Sequence, residues 1–442
     1  MLSKKWAALA VALALLALLD ACGIDDVNDG HVRIVNATTD YASIDLYTQD
    51  SDSNDTLVVS GTAAGTVSGY NDVKRGSTTF EIKSGTSAGN ASSATGTVTT
   101  DDHFALVSYI TGNTLDTVFL SEEEKNPSSG NAKLRILNGA STEAGSVDVY
   151  LSQNACNALS TTDTAFASAV AGPTAGAAFT TAYSQVTAAS AGTSWNLCVT
   201  SGGDKSTVLL DIPTFTLKNQ EIATLILTRT SGGVLLNGSL LDQQGALTSY
   251  PNSISRVRVV ADAASQGTVS ATVNGISLAG DAGSPSINSY VAVPSGAVTG
   301  TYEINDTTIS GVTLANLAAG SDYTLFIGGT ISAPTVTLIQ DNNTPSTSTS
   351  LPVEARVLSG VNGASTVTVN AGGKQIGSNV AFGTASTYTA ITAATGTAPL
   401  NVTIGGVPQT ALSDQTFTSG AVYTILVYGD STAPQIVINQ DN

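Results

Sequence analysis

The sequence reads as an all-β protein: tandem antiparallel β-sandwich domains joined by short linkers and preceded by a signal peptide. Three observations carry that reading. The 442 residues are 42% apolar and only 11% charged, with one Met and abundant Thr, Ser, Gly and Val, a composition that favours strands and turns over helices and can build cores. Apolar residues alternate with period two in short runs about every ten residues, separated by Gly, Pro, Asn or Asp, the pattern of sandwich strands. The chain also repeats itself four times, at a length too great for one core and sufficient for three or four.

The amino terminus comes first. Residues 1–22 read MLSKKWAALAVALALLALLDAC, in which Lys4 and Lys5 precede an apolar run from Trp6 to Leu19. That run is shorter than the roughly 20 residues a membrane-spanning helix requires, and it suits the apolar segment of a signal peptide over residues 1–21. Leu19-Asp20-Ala21-Cys22 resembles the lipobox of bacterial lipoproteins, with an acidic residue at a position where small or apolar ones are commoner. The resemblance implies a diacylglycerol lipid carried as a thioether on Cys22, cleavage before it, and palmitate-like chains that fix the protein to a membrane. By the same resemblance, Gly23 after the cysteine favours the outer membrane. Residues 22–31 then form a lipidated tether.

Charge narrows the partners. The formal net charge is −18, and a chain beginning at Cys22 loses Lys4, Lys5 and Asp20, one net positive charge, and stands at −19. Such a surface repels nucleic acid and anionic headgroups, so attachment to a membrane falls to the lipid.

The four repeats span residues 32–120, 132–241, 255–339 and 353–439. Each opens with an apolar strand that contains an arginine: Arg33, Arg135, Arg258 and Arg356. A second alternating strand follows, ending in Asp-x-Tyr in the first two repeats (Asp45 to Tyr47, Asp148 to Tyr150). Next comes a tyrosine with an apolar residue three positions on: Tyr70/Val73, Tyr183/Val186, Tyr290/Val293 and Tyr388/Ile391. A third alternating strand then precedes a long apolar strand, a Gly-containing turn and a closing strand. Tyr323 and Tyr423 begin that long strand six residues after Leu317 and Phe417, which resembles the tyrosine corner of immunoglobulin-like sandwiches; Phe104 and Ile222 replace them in the first two repeats. The stretches EEEKNPSSGN, DQQGALTSYPNS and QDNNTPSTSTSLP read as polar linkers, so that the units are expected to fold separately, like beads on a string. A membrane β-barrel would repeat as hairpins of about 20 residues, not in units near 100.

The openings VRIVNATTDYASIDLY and LRILNGASTEAGSVDVYLS resemble the domain of unknown function 4397 family, clearly in the first two repeats and less so in the last two, which lack the Asp-x-Tyr ending. The resemblance implies repeated domains on secreted bacterial proteins and supplies no functional residues.

Candidate chemistry is sparse. With Cys22 lipidated, Cys156 and Cys198 remain as an even pair in an oxidising compartment. The alternation that turns Trp195 and Leu197 inward puts Cys198 outward, where packing does not explain it; a disulfide between them is expected. Asp50, Asp52 and Asn54 resemble the first half of a calcium loop, but Asp55 stands where the turn glycine belongs and Gly61 where the bidentate acid does. Acidic linkers at Glu122–Glu124 and Asp341–Asn343 are the other places for calcium, and a solvated acidic surface is the plainer reading of all of them. His31, at the start of the first strand, and His103, beside Asp101 and Asp102, have no metal partner set or nucleophile in sequence and read as solvated. Gly85-Thr86-Ser87-Ala88-Gly89 matches a hydrolase nucleophile elbow in letters but is followed by a Ser/Gly/Ala loop, not a helix. No catalytic constellation and no cofactor follow.

These readings describe a non-enzymatic lipoprotein of the cell envelope with a structural or adhesive role, its partners a membrane through the lipid and an envelope protein or polysaccharide. The alternative is a glycan-binding module, whose exposed rings would be Tyr109, Tyr250 and Tyr428. An envelope hydrolase lacks a nucleophile with its base.

Overall fold

The computed structural model describes residues 29–38, 41–84, 91–111, 114–140, 145–173, 179–188, 194–230, 232–346, 350–363, 366–392, 398–409 and 412–441. The signal peptide, Cys22 and the Gly85–Gly89 motif lie outside them. The described residues form eight sheets, two in each repeat, and contain no helix long and apolar enough to cross a membrane.

The third repeat shows the plan. One sheet runs in the order Ser286–Ile287, Ile254–Ala263, Asp322–Thr330, Ala333–Asp341, with Val291–Pro294 also paired to Ile254–Ala263. The other runs Ile276–Gly283, Thr268–Val273, Gly300–Ile304, Thr307–Thr308. Alternation sorts the side chains. Val257, Val259, Ala261, Tyr323, Leu325 and Ile327 point into a core shared with Val269, Val273, Tyr302 and Ile304 of the second sheet. The second and fourth repeats build cores of the same kind between their own sheet pairs. In the first, Phe119 on the closing strand stacks between Phe80 of the second sheet and Phe104 of the first.

Among the described strands, pairing is antiparallel except that in each repeat the opening strand lies parallel to the long penultimate strand: Asp29–Asn36 with His103–Thr111, Asn131–Asn138 with Ile222–Arg229, Ile254–Ala263 with Asp322–Thr330, and Val353–Val361 with Val422–Asp430. These central strands are buried on both faces, which explains why they read as nearly unbroken apolar runs.

The Asp-x-Tyr ending has a local cause. In each repeat the strand beside it carries a bulge with a residue at positive φ: Gly61, Ala169, Asp281 and Asn379. The backbone N–H of that residue donates to a side chain on the second strand, namely Asp45 (2.6 Å), Asp148 (2.7 Å), Ser270 (2.9 Å) and Thr368 (3.0 Å). Ser and Thr replace the carboxylate in the last two repeats, so the role persists where the motif does not. The tyrosine corners form where expected, the Ala318 and Thr418 N–H groups donating to the hydroxyls of Tyr323 and Tyr423 at 2.9 and 3.0 Å.

The connectors depart from the linker reading. Leu247–Tyr250 adds a strand to the second repeat's sheet, and Tyr250 packs edge-on against Phe215 at 5.3 Å. Asn252 is buried and donates to the Leu209 and Leu236 carbonyls. These polar residues enter the interior because each finds hydrogen-bond partners there.

Asp148 accepts from two backbone N–H groups, those of Ala169 and Gly203. Asp148→Ala leaves both without that acceptor and is expected to lower stability by about 2–3 kcal/mol, whereas Asp45→Ala, with one such bond, costs about half as much. Denaturant midpoints of the two variants test the ordering.

Candidate functional site

The four strand arginines point away from the sandwich cores, and each lies over the ring of the tyrosine that recurs in its repeat. The guanidinium-to-ring distances are 5.0 Å for Arg33 on Tyr70, 4.5 Å for Arg135 on Tyr183, 4.7 Å for Arg258 on Tyr290 and 4.8 Å for Arg356 on Tyr388. It is the companions three residues on, Val73, Val293 and Ile391, that are buried in the cores. A buried guanidinium also needs a carboxylate. In the first repeat Glu122 supplies it just past the closing strand, accepting Arg33 Nε at 2.8 Å and Nη2 at 2.5 Å, while the Tyr70 hydroxyl donates to it at 2.6 Å. The linker acid read as solvated is 1% exposed.

In the third and fourth repeats the equivalent acids, Asp341 and Asp441, are exchanged. Arg258 Nη1 reaches Asp441 at 2.5 Å, and Arg356 Nη2 reaches Asp341 at 2.6 Å. Thr324 and Thr424, the parallel-strand partners of the two arginines, close the network. Each hydroxyl donates to the acid of its own repeat, at 2.7 and 2.6 Å, and accepts from both arginines at 2.9–3.0 Å. Arg258, Arg356, Asp341 and Asp441 are all nearly or fully buried. Beside them Val260, Phe326, Leu358 and Leu426 form an apolar cluster from the outer faces of both repeats, with Phe326 edge-on to Phe382 at 5.3 Å. The beads-on-a-string expectation therefore fails for this pair: each keeps its own core, but a second buried layer joins them. The physical reason is that neither repeat alone contains the carboxylate its arginine engages at short range.

One group in this joint is uncompensated. Asp262 occupies the place four residues after the arginine where the other repeats have Ala37, Gly139 and Gly360. It is 5% exposed, its Oδ2 has no hydrogen-bond partner, and it presses on Gly360, where a Cβ would lie 2.3 Å from that oxygen. Burial pushes its carboxyl up to about 7.

The remaining sequence candidates are placed as follows. Cys156 and Cys198 are bonded, S–S 2.03 Å. Cys198 does face away from the sandwich core, yet it is fully buried, in a small apolar cluster with Tyr150, Leu159 and Val208 beneath the loop that carries Cys156. Asp50 caps its own turn: Oδ1 accepts the N–H groups of Asp52 at 2.9 Å and Asn54 at 2.8 Å, and the Asn54 side chain donates to both oxygens. Of the three rings proposed for glycan stacking, Tyr109 is 1% exposed, Tyr250 packs on Phe215, and Tyr428 packs against the joint with its hydroxyl on Gln435. His31 and His103, distant in sequence, are brought side by side with ring centroids 4.8 Å apart. Between the second and third repeats lies a cleft of about 620 Å³ lined by Leu159, Val208, Ile254, Ile276, Val293 and Pro294, with Asp204, Lys205 and Asp211 among its polar residues.

Paired sheets repeated along the chain, with docked outer faces in the last two repeats, define a tandem β-sandwich protein. The chain belongs to the family described as domain of unknown function DUF4397, whose model matches residues 30–150 and 255–355, just over half of it. The matches open at the first and third repeats and run into the first strands of the next. The third repeat, which lacks Asp-x-Tyr, is thus as much a family member as the first. No curated protein matches the sequence. Among solved structures, the fimbrial anchor protein Mfa2 from Porphyromonas gingivalis is similar over 50% of this chain and 100% of its own, at 10% identity and a TM-score of 0.19. A proposed cell adhesion protein from Bacteroides uniformis is similar over 49% and 99%, at 12% identity and 0.19. Superposition at that level carries no inference about function.

Two outcomes follow from the joint. Asp441→Asn removes the charge that Arg258 engages and is expected to cost about 3–5 kcal/mol in the unfolding of the third and fourth repeats, read from denaturant melts. Asp262 binds its proton more tightly folded than unfolded, so its contribution is complete below about pH 4 and is lost as pH rises through about 7. The stability of the natural protein relative to Asp262→Asn should therefore fall by up to about 4 kcal/mol between those limits. Paired melts across that range that stay parallel would contradict it.

Proposed function

We propose that this chain is a non-enzymatic cell-envelope lipoprotein, anchored through a lipid on Cys22, that serves as a structural or adhesive module. The observation that carries the reading is how the repeated polar residues are used. In each repeat the arginine stacks on its tyrosine, and the second-strand Asp, Ser or Thr secures the bulge. Asp341 and Asp441 then join the third repeat to the fourth. The features that recur fourfold hold each sandwich together, and the exchanged acids fasten the last two to each other. Sandwich domains whose recurring polar residues serve the fold, presented from a lipid anchor, suit a structural or adhesive task. The disulfide agrees with an oxidising compartment outside the cytoplasm, and the Leu19–Cys22 sequence with lipid attachment. The glycan-binding alternative is less favoured, because Tyr109 is buried and Tyr250 and Tyr428 are each partly covered by neighbouring side chains.

Mass spectrometry of the amino-terminal peptide from membranes of the native host tests the anchor. A diacylglyceryl thioether on Cys22 is expected, with release of Cys22→Ser into the soluble fraction; an unmodified Cys22 or cleavage elsewhere would remove the anchor. Passing the purified chain over cell-wall polymers tests the alternative, which specific retention would revive.

A further inference from the structure

The chain's two histidines meet on one face of the first repeat. His31 and His103 are register partners on the parallel strands Asp29–Asn36 and His103–Thr111, with ring centroids 4.8 Å apart and planes tilted by 34°. Each ring has a carboxylate at Nδ1: Asp72 Oδ1 lies 2.8 Å from His31, and Glu123 Oε1 lies 2.9 Å from His103. A carboxylate can only accept, so Nδ1 carries the proton and Nε2 of the neutral ring keeps its lone pair. This is the arrangement that fixes the tautomer and orientation of metal-ligating histidines. Further contacts hold it in place. Glu123 Oε1 also accepts the His103 backbone N–H at 2.7 Å, and the Tyr70 ring packs edge-on against His103 at 4.8 Å. The imidazoles are 34% and 28% exposed, within reach of solvent.

We propose that His31 and His103 form a two-imidazole binding site for a divalent transition-metal ion of the zinc and copper class, ligated through the two Nε2 atoms. Imidazole nitrogens select such ions over calcium and magnesium, which take oxygen ligands. Asp72 and Glu123 at the rings, with Asp101 and Asp102 beside His103 in sequence, add negative charge that favours a cation, whereas Glu122 is already paired with Arg33. Among the described residues no group of three His, Cys, Asp or Glu side chains is placed to hold a metal, so water fills the remaining positions. Asp72 and Glu123 are positioning residues.

The test uses the untagged chain with Cys22→Ser, so that no free thiol competes, stripped by chelator and titrated with copper(II) and zinc by calorimetry. One equivalent should bind, and His31→Asn or His103→Asn should each weaken binding by at least about tenfold, with Asp72→Asn weakening it less. Calcium and magnesium should not compete. Electron paramagnetic resonance of the copper-loaded chain should show hyperfine coupling to two equatorial nitrogens, a readout that needs no variant to fold. Absence of binding, binding unchanged in both histidine variants, or a spectrum with fewer than two nitrogens would each overturn the proposal.

Discussion

A guanidinium in the middle of a strand that is closed on both faces has to be neutralised, and that requirement organises this protein. Each repeat turns an arginine out of its sandwich core and covers it with the face of a tyrosine, an arrangement favourable to cations, and in the third repeat Tyr290 covers both Arg256 and Arg258. In the first, third and fourth repeats a carboxylate comes from the end of a closing strand, which the sheet order places two strands away from the opening one. Where the acid serves its own repeat, as Glu122 serves Arg33, the pair closes within one sandwich. Where the acids are exchanged, as between Arg258 and Asp441 and between Arg356 and Asp341, two repeats become one object.

Exchange has geometric consequences. Two threonine hydroxyls each accept from both arginines and donate to one acid, which uses their full hydrogen-bonding capacity and leaves one way to dock. The apolar quartet beside them supplies area, while the charges supply register. A buried ion pair contributes little net stability compared with an apolar pair, so its best-attested value is specificity of arrangement. The third and fourth repeats stack four sheets in this way, core, joint and core, with the joint as tightly closed to solvent as the cores. Asp262 runs against the pattern: a carboxyl pressed on Gly360 where small residues stand in the other repeats.

Much of the architecture was legible because it depends on neighbours in sequence. Strand positions followed from alternation, the tyrosine corners from a six-residue offset, and the disulfide from register within one strand. The unbroken apolar character of the opening strands also carried a signal that they are covered on both sides, which implies docking of the outer face. The arginine within each run was visible too, but its partners were not. Glu122, Asp341 and Asp441 sit in or beside polar stretches that resemble linkers, and nothing local separates a carboxylate destined for a buried pair from one left in water.

By itself the sequence determined the all-β class, the fourfold repetition and the strands within each unit, because propensity and period-two patterning act over a few residues. Tertiary structure alone decided the parallel pairing of opening and penultimate strands, the meeting of His31 with His103, and the exchange of acids between the last two repeats. Those depend on residues tens to hundreds of positions apart, whose proximity is set by sheet order and by which outer face closes on which. No short-range pattern encodes that choice.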